Sequence, residues 1–192
     1  MYAGLLGDAR LYEVLQDIDE DLAAQARSVG CRCGGRLHSA AYPRKPRGGP
    51  VGLGASYDRR LSYCCAREGC RRRTTPPSVR FLGRKVYLDA VVVLVSALRQ
   101  GPNPTRVRVL HDLFGVGERT LRRWRQWWQR GVAEGSFWRA ARGHFMPAVT
   151  ASELPGAMAE RFGAHRTDGL CRFLRFLSPI TTSSCVLSGG GF

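Results

Sequence analysis

The chain has 192 residues and a formal net charge of +15, long enough for one domain or two small ones. Its most apolar stretch, residues 86–98, contains Asp89 and falls far short of the ~20 residues of a membrane span. The N-terminus has no basic region ahead of an apolar run, so neither a secretory signal nor a membrane segment is expected, and a cytoplasmic protein is.

The charge is uneven. Residues 1–30 carry a net −4, residues 31–142 a net +18 and residues 143–192 a net +1. A basic middle of this kind points to a polyanion, most simply nucleic acid. Nearly all of the positive charge is Arg; only Lys45 and Lys85 are lysines. Seven cysteines in a cytoplasmic chain point to metal or free thiols rather than disulfides.

Residues 1–29 read as an acidic packing helix. Over residues 8–28, Leu11, Val14, Leu15, Ile18 and Leu22 recur at helical spacing, with the acids mostly off that stripe. Residues 30–80 read as a zinc-ribbon-like module interrupted by a Pro/Gly/Arg loop over residues 42–54. Its first knuckle is Cys31-Arg32-Cys33-Gly34-Gly35, and its second follows a short strand and ends at Cys70, about thirty residues on. Adjacent side chains of a strand face opposite ways, so Cys64 and Cys65 do not both reach one tetrahedral site. Cys65 closes the tighter turn and is preferred, with Cys64 as the alternative and His38 as a minor substitute. The expected ligands are Cys31, Cys33, Cys65 and Cys70 around a structural Zn2+. Four protein ligands close such a site to water chemistry. Few large apolar residues lie between 31 and 70, so this part needs a metal staple. Arg71, Arg72 and Arg73 follow directly and suit backbone phosphate.

Residues 81–142 read as a trihelical helix-turn-helix domain. Lys85–Gln100 is predicted as a mostly buried helix, stopped by Gly101-Pro102-Asn103-Pro104. Thr105 is placed to cap a second helix to Phe114, with Val107, Leu110, Leu113 and Phe114 as its apolar stripe. After the turn Gly115-Val116-Gly117, residues 117–130 form the third helix. Leu121, Trp124 and Trp128 make its buried stripe, and Arg119, Arg122, Arg123, Gln126 and Arg130 fall opposite. Arg and Gln pair bidentately with guanine and adenine edges in the major groove. Helix, Gly turn and Arg-faced helix is the helix-turn-helix plan. Over residues 143–177 two short helices are expected, Leu154–Phe162 and Gly169–Leu177, to pack on the core or mediate self-association. Residues 178–192 read as a disordered tail. The fold class is therefore mainly α with a small β zinc ribbon.

Residues 31–130 resemble the N-terminal DNA-binding region of bacterial insertion-sequence transposases of the zinc-ribbon type. The residues that carry the likeness are Cys31 to Gly35, Cys65 to Cys70 with the trailing arginines, and Phe114 to Trp124. The resemblance implies binding to element ends or to an operator. It does not reach a catalytic domain, which requires three carboxylates holding two metal ions. The acids after the third helix, Glu134, Glu153, Glu160 and Asp168, fall on loop or helical segments, and no enzyme is expected. The expectation is double-stranded DNA binding, linked to a mobile element or to transcription regulation, with a transposase or a second copy as a further partner. No small-molecule substrate is expected. The alternative is an interaction module binding RNA or an acidic protein.

Overall fold

In the computed structural model, residues 3–83, 85–98 and 104–182 are described. They are mainly helical, with a small antiparallel sheet. A short helix, α1 (Ala3–Gly7), leads into α2 (Ala9–Val29). Asp8 caps α2 by accepting the Arg10 N–H at 3.0 Å, which satisfies a donor the helix leaves open. Leu11, Tyr12 and Leu15 form its buried stripe, with Ile18 and Leu22 at the edge. Val14, expected in the stripe, is 41% exposed. Tyr12 is buried instead, because its hydroxyl donates to the Leu6 carbonyl at 2.8 Å and strands no polar group.

One acid of α2 also lies inside. Asp19 accepts the Val79 N–H at 2.6 Å, the Ser78 hydroxyl at 2.6 Å and Arg80 Nε at 2.9 Å. This buried ion pair has hydrogen-bond partners for both carboxylate oxygens, the condition under which burial of charge is tolerated. It fastens α2 to the segment ahead of the central helix.

Five short strands follow: β1 (Leu37–Ser39), β2 (Tyr42–Pro43), β3 (Arg59–Arg60), β4 (Tyr63–Cys65) and β5 (Arg73–Thr74). One antiparallel sheet has the order β1-β4-β5, and β2 pairs with β3. Leu37 stands opposite Cys65, and Cys64 stands between His38 and Arg73.

Helix α3 (Asp89–Ser96) runs through the main core, with Ala90 to Leu94 all fully buried. It is shorter than the predicted Lys85–Gln100. The Leu88 N–H bonds the Arg47 carbonyl and the Asp89 N–H bonds the Arg80 carbonyl, which holds the approach extended. Val86, expected inside, is consequently 53% exposed. Residues 99–103 of the predicted helix and stop lie outside the described residues.

Helix α4 (Pro104–Phe114) begins one residue before Thr105, so Thr105 sits exposed within its first turn rather than capping it. Proline suits a first turn, where an N–H has no partner in any case. Leu110 is buried and Phe114 packs at the core edge, but Leu113 is 52% exposed. Helix α5 (Glu118–Gln126) follows, and its last turn widens into a π-helical turn, Trp127–Val132. Then come α6 (Ser136–Ala141), α7 (Gly156–Phe162) and α8 (Thr167–Leu177).

Leu170, Phe173, Leu174 and Leu177 of α8 are fully buried in the same cluster as Leu11, Val91, Leu110, Trp124 and Trp128. The C-terminal helices therefore complete the main core. The expectation of disorder from Ser178 does not hold for residues 178–182. Residues 178–181 form a 3-10 turn, Ile180 is buried, and Thr181 Oγ1 accepts the Ser78 N–H at 2.9 Å. The rest of that tail, from residue 183, lies outside the described residues. Among the described residues no helix is long and apolar enough to cross a membrane.

Candidate functional site

The first knuckle starts where α2 stops. Gly30 ends the helix, and the Gly34 N–H closes back on the Cys31 carbonyl at 2.7 Å. The second knuckle leaves β4 at Cys65, and the Cys70 N–H bonds the Arg67 carbonyl at 3.1 Å. The sulfurs of Cys31, Cys33, Cys65 and Cys70 all lie within 4.8 Å of one another. Cys31 and Cys70 are 3.7 Å apart, Cys33 and Cys65 3.5 Å. A tetrahedral ion with metal–sulfur bonds near 2.3 Å would set its ligand sulfurs about 3.8 Å apart. The four expected cysteines thus form a group able to hold a metal ion.

The register separates the two adjacent cysteines. Cys65 shares the buried face of β4 with Tyr63, whereas Cys64 faces the other way and lies 3.4 Å from the Arg71 carbonyl. Cys64 is half-buried rather than a core residue, and His38, its sheet neighbour, is exposed and outside the sulfur group. Gly35 has a reason invisible in the spacing. A Cβ there would meet Cys65 Sγ at 2.6 Å, so only glycine leaves room for the sulfur. Sequence reasoning also missed Arg67. Its backbone N–H reaches Cys65 Sγ at 3.4 Å and its guanidinium donates to the Cys33 carbonyl at 2.7 Å, tying the two knuckles together.

Crowded thiols share negative charge unevenly. The Gly35 N–H, then the neighbouring thiols, hold Cys33 down at about 6. At Cys65 the Arg67 N–H pulls downward, but burial and the three neighbouring cysteines push it up to about 12. A divalent cation favours the deprotonated form at every ligand. A cleft of about 450 Å3, lined by Cys31, Arg32, Cys33, Gly69, Cys70 and Arg72, opens beside the sulfurs and offers an entry path. Among the described residues no other group of three or more His, Cys, Asp or Glu side chains is close enough to hold a metal.

The arginines after the second knuckle are all exposed. Their backbones are part of the module: the Arg72 carbonyl accepts the Cys65 N–H at 3.0 Å, and Arg71 turns with φ 44°. The Arg73 guanidinium lies 5.6 Å above the Tyr42 ring.

The second candidate surface is α5. Its approach is held by Gly115, whose φ of 66° suits glycine, and by the Tyr87 hydroxyl, which donates to the Gly115 carbonyl at 2.6 Å. Tyr87 also meets the Trp124 ring edge-on at 5.1 Å, and Val116 is fully buried. Trp124 and Trp128 are buried as expected, and Leu121 packs at the core edge. Arg119, Arg122, Arg123, Gln126 and Arg130 are all exposed, and so is Arg125. Glu118 stands 3.3 Å from Arg122 one turn on, an exposed pair of little energetic weight. Arg130 lies in the π turn, off the regular helical wheel used to place it.

Comparison of the chain with protein-family models, with curated proteins and with solved structures finds no match.

Proposed function

We propose that this protein binds double-stranded DNA through α5, with a zinc-stapled cysteine module beside it as a second, phosphate-gripping anchor. One observation carries the reading. Helix α5 and the π turn that continues it bury Trp124 and Trp128 on one side while Arg119, Arg122, Arg123 and Gln126 stand exposed, after a glycine turn and a helix. That is the plan of a helix whose outer face enters the major groove. Arg119, Arg122, Arg123 and Gln126 read base edges or phosphates, with Arg130 at the end of the same segment. Arg71, Arg72 and Arg73 grip the backbone. The cysteine set is all thiolate, which suits Zn2+ over hard cations. The role of such a site is structural.

RNA binding is the weaker reading. Single-stranded RNA is usually gripped by bases stacked on exposed aromatic rings. Trp124 and Trp128 are buried, and the half-buried Trp127 carries the Lys85 ammonium over its ring at 4.2 Å. The resemblance to transposase DNA-binding regions supports an association with a mobile element or an operator.

The test is duplex binding by the full chain to the DNA flanking its own gene. The double variant Arg122→Ala/Arg123→Ala should weaken binding at least about tenfold, since a good base contact contributes ~1–3 kcal/mol. Both side chains are exposed, so the melting temperature should hardly change. Unchanged affinity would remove α5 from the interface. Competition by RNA as strong as by duplex DNA would favour the second reading.

A further inference from the structure

We infer that Lys85, Trp127 and Arg123 form a clamp on the flank of α5 that holds one backbone phosphate of bound duplex DNA. The inference rests on the reading of α5 as the DNA-facing helix.

The clamp is built by the π turn. From Trp127 onward the helix widens, a local irregularity found frequently at functional sites. It leaves Trp127 half-buried beside the fully buried Trp128, the two rings edge-on at 4.8 Å. Gly131 lies under the Trp127 ring: a Cβ there would come within 3.0 Å of Cδ1. The ring is therefore seated against the helix, and Lys85 Nζ stands over it, 4.2 Å from its centre. Lys85 is itself held in place. Its N–H bonds the Leu82 carbonyl at 3.1 Å, and its carbonyl accepts Arg44 at 2.6 Å.

The charges around this ammonium are unbalanced. Among the described residues, Asp89 and Arg123 are the charged groups that act on it. Asp89 is completely buried, burial pushes its carboxyl well above the usual carboxylate range, and neither of its oxygens has a hydrogen-bond partner, so Lys85 makes no direct pair with it. That leaves Arg123, a second cation, and burial with Arg123 brings Lys85 down to about 8. Two cations without a paired carboxylate gain most from an incoming anion. A compact ammonium on the helix flank suits a phosphate rather than a base edge. The covered Trp127 face leaves the ring as support for the ammonium through cation–π attraction, not as a stacking platform.

The experiment measures affinity of the full zinc-loaded chain for duplex DNA against salt and pH, for the wild type, Lys85→Met and Lys85→Arg. Lys85→Met should lower the slope of log affinity against log salt by about one, the loss of one neutralised phosphate. Lys85→Arg should keep the slope. Wild-type binding should weaken as pH rises through about 8, where Lys85 loses its proton. Lys85→Arg should not show that fall, because Arg stays charged. An unchanged slope in a folded Lys85→Met variant overturns the clamp. So does a wild-type pH profile in Lys85→Arg, which applies even if Lys85→Met does not fold. If these variants behave as wild type while Arg119→Ala/Arg122→Ala, two exposed residues of α5 outside the clamp, loses binding, the clamp alone falls. If the chain binds no duplex, the reading of α5 falls and takes the clamp with it.

Discussion

Among the described residues, the two buried clusters are made of different material. The larger one runs from Leu6 to Ile180 and draws on α2, α3, α5, α7 and α8, with Trp128, Phe173 and Leu94 fully enclosed. The smaller consists of Ala23, Cys31, Leu37, Tyr63 and Cys65, edged by Cys33, Leu61 and Cys70. The first excludes enough apolar surface from water to hold itself together. The second has five buried residues, two of them cysteines, and too little apolar area to offset the chain entropy of two knuckles. Helix α2 serves both, giving Leu11 and Leu15 to one and Ala23 to the other.

The largest effect expected from this contrast is metal removal. Binding to a structural zinc site in small domains is worth ~10–16 kcal/mol in apparent free energy. A chelator, or Cys65→Ser, should strip amide-exchange protection from residues 31–39 and 63–74 while α3 and α8 keep theirs. Purified protein should carry about one zinc per chain. Simultaneous loss of protection in both regions would show that the two clusters fold as one, and the comparison would fail.

Next in size is the joint between α2 and residues 78–80. Asp19→Ala leaves Arg80 buried without its partner and removes the acceptor for Ser78 and Val79. Removing one member of such a pair costs about 3–5 kcal/mol. The urea midpoint should fall accordingly, and a loss below about 1 kcal/mol would mean that Arg80 finds another partner.

The third effect belongs to Asp89 at the start of α3. Both of its carboxylate oxygens are buried without a hydrogen-bond partner. Burial raises this carboxyl well above the usual range; Asp19 also raises it and Lys85 lowers it. A raised folded value means that the stability contribution is complete below the unfolded value near 4 and is lost as pH rises through the folded value. Asp89→Asn removes that titration. Its stability relative to wild type should therefore grow as pH rises above about 4, where the unfolded carboxyl ionises and the buried one resists doing so. A difference that does not change with pH would show that Asp89 titrates normally.

Much of this was legible in residue spacing. The stripe of α8 and the Trp124–Trp128 face of α5 follow from apolar residues three and four apart, a local rule that tertiary packing did not override. The four cysteines that gather were the four expected, because alternation along a strand already separates Cys64 from Cys65. Composition likewise anticipated that the cysteine-bearing segment would bury only a small cluster, since residues 31–70 carry few large apolar side chains.

Other features belong to neither pattern nor spacing. The start of α3 moved to Asp89 because Arg47 and Arg80, distant in sequence, supply carbonyls to the preceding strand-like segment. Asp19 looked like one more solvated acid of α2 until the fold brought Ser78, Val79 and Arg80 to it. Gly35 and Arg67 matter only because the knuckles meet. Lys85 reaches Trp127 only because α5 ends in a π turn, which no helical wheel contains. Periodicity acts within a segment and could be read from the chain. The partners of buried charges and the companions of a metal site are set by segments that meet in space, so the tertiary structure alone decided them.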